Sequence, residues 1–237
     1  FGGESDEELC ARWMAVGAFF PFSRNHNSID SFVDQEPYRF NMTLTVTRKY
    51  YKLKYSLLPY WITLFERHRR LLEMVIRPMW LDNESTQFLV GHSIMVCPLT
   101  ERGMVSVKCR FGGDRWFDMH THSVMPMEEV QVIDAPVDHL PVFVRAGSVL
   151  FRHEPRLSVM ATLRTNYTID IYLDGFNSGN DEKNKKQMAT GYLYVDDNVS
   201  GDVGGRYVHI TVTAMVHKGI LTVEWSGHFG METGKFV

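Results

Sequence analysis

The chain has 237 residues, 44% of them hydrophobic and 22% charged, with a formal net charge of −3. That is enough apolar material for one large domain or two small ones, and the slight acidity argues against a nucleic-acid partner. No apolar run reaches the roughly 18 residues that a membrane-spanning helix needs.

In chain order, the first residue is Phe and no charged-then-apolar leader follows it, so the chain is expected to be cut or processed from something longer. Ser5-Asp6-Glu7-Glu8 fits a capping box with Ser5 as N-cap. Leu9, Trp13 and Val16 then recur at helical spacing and Gly17 fits a stop, which predicts a helix over 5–16. AFFPF, residues 18–22, reads as a buried strand, and 28–46 as a loop with turn chemistry. A second helix is expected over 47–72, with its apolar stripe on Leu53, Leu57, Trp61, Leu64 or Phe65, His68 and Leu71 or Leu72. Pro59 removes a backbone donor inside it and should kink it. Helix, strand, helix suits the tail of a parallel α/β unit.

From Val75 onward the pattern changes to short alternating runs, clearest in 104–109, 142–151, 167–173, 207–213 and 219–225. In YTIDIYL, Tyr167, Ile169, Ile171 and Leu173 share one face. Turn residues between the runs predict antiparallel sandwiches. The polar stretch 176–190 reads as a mobile hairpin loop. A boundary falls near residue 77 and a second near 160.

The candidates for chemistry begin at Arg24-Asn25-His26-Asn27. If 18–22 is a parallel strand, these residues follow its carboxyl end, where barrels of alternating strands and helices build their sites. Histidine and arginine donate in fixed directions and asparagine both donates and accepts, a set suited to a polyol. A buried, internally satisfied His26 is the plainer alternative. Asp196-Asp197 is tempting as an acid/base pair, but strand neighbours point to opposite faces, so a turn is expected. Asp34 and Glu36 read as loop residues that orient backbone. His120 and His122 could present two imidazoles on one side, yet no third zinc ligand is evident. No cofactor fingerprint or metal motif is found. Cys10, Cys97 and Cys109 fit either one bridge or three buried thiols. Asn-x-Ser/Thr sequons start at Asn41, Asn83, Asn166 and Asn198. Chance would give roughly one, so the excess points to a eukaryotic secretory route, whether lysosomal, cell-surface or secreted.

Several stretches together resemble the α-glucosidases of glycoside hydrolase family 31. They are FGGESDEELCARWMAVGAFFPFSRNHN, DQEPY, KYSLLPYWITLF, IRPMWLD, QFLVGHSIMVCPL, DRWFD, APVDHLPVFVRAGSVL and TGYLYVDDNVS. RNHN looks like the maltase, acid α-glucosidase and sucrase–isomaltase branch. The resemblance implies a C-terminal fragment: the end of a (β/α)8 barrel over 1–77, a proximal β-sandwich over 78–160 and a distal one over 161–237. On that mapping 18–22 is the eighth barrel strand and 47–72 the eighth helix. His26 lines the −1 subsite and binds the non-reducing glucose, and Phe1 forms part of the pocket wall. Arg24 and Asn25 shape the loop. The family's two catalytic aspartates would lie upstream of Phe1, so no catalytic residue is expected in this chain. The partners implied are an oligosaccharide or glucoside and the upstream part of the same barrel. The implied parent is a retaining exo-α-glucosidase. The competing expectation is an inactive glycan-binding or structural module of the same origin. Two departures stand out. Asn198 takes the place of the glycine in the family's DDG turn, and Ser85-Thr86 replaces the aspartate usual before QFL.

Overall fold

A computed structural model describes residues 5–79, 86–174, 187–197, 207–217 and 220–230, the side chains of 228–230 excepted. The chain divides into two compact units, one made of 1–55 and 74–145, the other of 56–73 and 146–237. These limits differ from the three segments expected from sequence.

The first unit opens with helix α1 (Glu7–Gly17). Its N-cap is Asp6, whose side chain accepts from the Leu9 amide, so the cap sits one residue later than the sequence suggested. Ser5 instead donates to Gln35 Oε1 at 2.7 Å. The expected strand over 18–22 does not form. Ala18, Phe19 and Phe20 fold back on α1 through amide bonds to Ala15, Val16 and Gly17 carbonyls. A parallel barrel strand needs ladder partners on its flanks, and no described segment supplies one. Phe19 is buried all the same, edge-on to Tyr50 at 6.4 Å.

The predicted helix over 47–72 is two helices. α2 (Asn41–Ser56) starts earlier than expected, and α3 (Leu58–Leu71) belongs to the second unit. The break falls at Leu57, and Pro59 occupies the first turn of α3, where its missing N–H costs nothing. Leu72 closes α3 in the left-handed conformation, with its amide on the His68 carbonyl. Leu57, Trp61 and Leu64 of the predicted stripe are buried, while Phe65, Leu71 and Leu72 are exposed.

The rest of the first unit is antiparallel. β1 (Ile76–Pro78), β2 (Phe88–Val90), β3 (Ile94–Val96), β5 (Trp116–Asp118) and β7 (Val142–Arg145) form a five-stranded sheet in the order β1-β2-β3-β7-β5. β4 (Ser106–Arg110) pairs with β6 (Val130–Asp134) as a separate ribbon. Leu89, Met95 and Phe143 are cross-strand partners on one face of the sheet. They pack with Cys109, Phe111 and Trp116 into one core, with Val107 and Ile133 of the ribbon against it. A disulfide joins Cys97 to Cys109 across this core, and Cys10 remains a buried thiol.

In the second unit β8 (Ser148–His153), β9 (Tyr167–Tyr172), β10 (Gln187–Val195), β11 (Tyr207–His217) and β12 (Ile220–Gly230) form a sheet ordered β12-β11-β10-β8-β9. A short helix α4 (Val159–Leu163) precedes β9. Val149, Phe151, Ala189, Leu193, Val212 and Ala214 make the core of one face, with Ile171 and Leu173 packed against it as the alternation of 167–173 predicts. α3 covers the other face, where Thr63 accepts from the Tyr194 amide at 3.0 Å and the Arg67 guanidinium lies 4.0 Å from the Tyr192 ring. Of the hairpin loop expected over 176–190, residues 187–190 are the start of β10 and the rest lies outside the described residues.

Candidate active-site loop and its support

The turn after α1 leads directly into Arg24-Asn25-His26-Asn27, and this segment is held by side chains bonding to backbone. Asn25 Nδ2 donates to the Gln35 carbonyl at 2.7 Å, and Gln35 Nε2 donates to Asn25 Oδ1 at 3.0 Å. Gln35 Nε2 also bonds the His26 carbonyl. Asn27 Nδ2 donates to the Val33 carbonyl at 2.9 Å, while its Oδ1 accepts from the Ser28 amide. The two asparagines and Gln35 thus close the loop on itself, using groups that both donate and accept. Arg24 lies 6.0 Å from the Phe22 ring. His26 stands exposed between the two clasping asparagines, so it is not a buried histidine.

The base of the loop is pinned by Lys54 of α2, which donates to the Phe20 carbonyl at 2.6 Å, to Ser23 Oγ at 3.1 Å and to the Gly17 carbonyl at 3.4 Å. A cation here meets the negative end of α1, and burial pulls its ammonium pKa below the ordinary lysine value. Nothing in the sequence KLKYS sets Lys54 apart from Lys52, so the pattern alone does not single it out. Gln87 was missed too. It accepts from the Arg110 amide at 2.8 Å and donates to the Arg110 carbonyl at 3.0 Å, tying β2 to β4 from a buried position.

The other candidates resolve as scaffold. Asp34 and Glu36 both engage the Arg39 side chain, at 2.6 and 3.4 Å, rather than orienting backbone. Asp118, from the WFD motif, accepts from the His120 and Thr121 amides at 2.8 and 2.7 Å. Trp116 of the same motif is buried and donates to the Phe111 carbonyl. His120 and His122 do not share a side. His120 turns inward, 3.1 Å from the Leu140 carbonyl and with its ring centroid 4.9 Å from that of His139. His122 adopts a positive φ of 59° and is exposed. Burial lowers the pKa of both His120 and His139. Among the described residues no group of three or more His, Cys, Asp or Glu could hold a metal ion. Asp196 and Asp197 follow β10 in irregular backbone. Asp196 hydrogen-bonds Tyr194, whose hydroxyl pKa is raised first by burial and then by that bond. Phe1, Asn83 and Asn198 lie outside the described residues.

A cavity of about 630 Å³ lies away from this loop. It runs beside α1, lined by Leu9, Trp13, Phe20, Phe88 and Leu99 with Arg12 and Arg102 at hand. Trp13 is 60% exposed and Leu9 45%, an apolar stripe one helical turn apart. Its polar neighbours are already engaged: Arg12 with Glu8 at 2.9 Å, Arg102 with Asp6 at 2.6 Å.

Residues 1–64 match the glycosyl hydrolases family 31 TIM-barrel domain and residues 72–150 match the glycosyl hydrolase family 31 C-terminal domain. The chain belongs to glycoside hydrolase family 31. It is 35% identical to an α-glucosidase of Mucor javanicus over 89% of this chain and 25% of that protein. It is 37% identical to an α-glucosidase of Aspergillus niger over 84% of this chain and 21% of that protein. Among solved structures, the glucosidase II α subunit bound to α3-Glc2 matches 99% of this chain and 25% of its own, at 28% identity and a TM-score of 0.79. A Flavobacterium johnsoniae dextranase complexed with glucose matches 91% and 27%, at 26% identity and a TM-score of 0.75. The chain therefore spans about a quarter of the length of such relatives. No described helix is long and apolar enough to cross a membrane.

Proposed function

We propose that this chain is the C-terminal part of a retaining exo-α-glucosidase that removes terminal α-linked glucose from maltose-like oligosaccharides, in the maltase branch of the family. The observation that carries the reading is the RNHN loop: its two asparagines are spent on closing the loop, while His26 is left exposed on a backbone that Gln35 holds. A rigidly presented imidazole can bond a sugar hydroxyl without losing loop entropy on binding. His26 then lies in the −1 subsite, with Phe1 on its wall.

The two aspartates of a retaining mechanism, nucleophile and acid/base, are supplied by chain upstream of Phe1. The same upstream barrel covers the Leu9–Trp13 stripe of α1, which suits an apolar partner because its charges are already paired. On this reading 1–77 completes the barrel, and 78–160 and 161–237 supply its proximal and distal β-sandwiches, with β8 adding to the distal sheet. The Cys97–Cys109 bond supports passage through an oxidising, secretory compartment.

The test is to express the whole protein that carries this segment and follow maltose hydrolysis by NMR. Glucose appearing first as the α anomer supports the reading. First appearance as the β anomer overturns the retaining assignment. Saturable oligosaccharide binding without turnover would favour an inactive glycan-binding module instead.

A further inference from the structure

We propose that Asn166 carries an N-linked oligosaccharide and that this glycan guards the free edge of the second unit's sheet. The proposal rests on the secretory reading above. Asn166-Tyr167-Thr168 is an acceptor sequon. The turn before it is locked: Thr165 Oγ1 accepts from the Glu154 amide at 3.0 Å and donates to the Thr162 carbonyl at 2.8 Å. Asn166 leaves that turn exposed, and the extended residues that follow, Tyr167, Thr168 and Ile169, are exposed as well. Both parts of the acceptor, the carboxamide and the hydroxyl two residues on, are thus reachable in the folded chain.

Asn41 makes the contrast. It too is exposed, but it is the first residue of α2, and its Thr43 is fully buried with Oγ1 donating to the Glu7 carbonyl at 3.0 Å. That sequon is open only before α2 docks.

The edge gives the glycan a task. β9 ends the sheet, pairing with β8 alone among the described strands. A strand in that position presents unpaired backbone groups that template association, and proteins blunt such edges with charge, proline or cover. β9 has no proline or lysine, and its one charge, Asp170, is engaged by Arg152 at 2.7 Å. Tyr167 is 43% exposed and Ile169 37%. A bulky, solvated group at the strand's first turn supplies the missing cover.

The chemistry balances with a lipid diphosphate-linked oligosaccharide as donor. Asn166 Nδ2 bonds the anomeric carbon as the carbon–oxygen bond to the diphosphate breaks. The diphosphate leaves with the electron pair and the amide nitrogen gives up one proton.

The whole protein that carries this segment is expressed through a eukaryotic secretory pathway and its peptides are mapped by mass, before and after enzymatic deglycosylation in heavy-oxygen water. The expected result is label on Asn166 together with the Cys97–Cys109 linked peptide. N166Q and T168A both lose the label, T168S keeps it, and the two glycan-free variants show at least about a twofold rise in aggregated fraction. Linked cysteines with an unmodified Asn166 overturn the proposal alone. Free thiols with an unmodified Asn166 overturn the secretory reading and the proposal with it. Glycan-free variants as monodisperse as the parent overturn the guarding role.

Discussion

The loop that presents His26 and the sheet of the second unit are held by opposite means. In the loop, Asn25, Asn27, Gln35 and Lys54 reach for backbone carbonyls, and His26 is left in solvent. In the sheet, Val149, Phe151, Leu193, Val212 and Ala214 fill the space on one face of the strands. The loop is fixed by direction and the sheet by volume. A directional clasp can leave one side chain exposed and oriented, which is what binding needs; close packing cannot.

Breaking the sheet should therefore cost most and act through volume. A Cβ on Gly191 would lie 2.4 Å from the Val149 carbonyl oxygen and 2.6 Å from its Cβ. Backbone cannot yield there, so Gly191→Ala should cost about 3 kcal/mol or more, read as a lowered urea midpoint. The first unit offers a covalent counterpart. Cys97→Ser, or reduction, releases a link with a sequence separation of 12, and a loop of that size predicts a loss of about 2.8 kcal/mol. Urea unfolding with and without reductant measures it.

The clasp should break more gently. Lys54→Met leaves the Phe20 and Gly17 carbonyls without their cation and should cost about 1.5 kcal/mol. Its more telling effect is on protease cleavage within 18–27, which should quicken, while cleavage in the second unit does not.

The smallest effect is a pH effect. His120 and His139 have folded-state pKa values below the ordinary histidine value, because burial disfavours their cations, and they lie beside Lys49. Asp118 and Asp138 oppose this only in part. A depressed histidine binds more protons unfolded than folded. The first unit should thus hold its stability above about pH 6.5 and lose it progressively below. His139→Phe should flatten that slope in pH-dependent thermal unfolding.

The same contrast explains what the sequence disclosed. The volume-driven parts were legible: alternation in 167–173 put Ile171 and Leu173 on the core side, while the run 142–151, read as one, is split into β7 and the first four residues of β8, which join different sheets. Position 57 of the long helical pattern was not read as a break, since Leu57 fits the apolar stripe and only Pro59 signals an interruption. AFFPF was misread as a strand because a short apolar run looks the same whether neighbours pair with it or it folds over a helix end. The RNHN candidates were legible by type. Their bonds were not, because Gln35 and Lys54 are distant in sequence and carry no pattern of their own. The cysteine pairing likewise depended on β3 and β4 being brought together.

The most direct test of the account is His26→Ala in the whole protein, with kcat/KM on maltose measured beside the thermal unfolding temperature. An exposed side chain on a loop clasped by other residues predicts unchanged unfolding and a fall in kcat/KM of about 100-fold, near 3 kcal/mol of lost transition-state binding. A kcat/KM within about twofold of the parent, with unfolding unchanged, would contradict it.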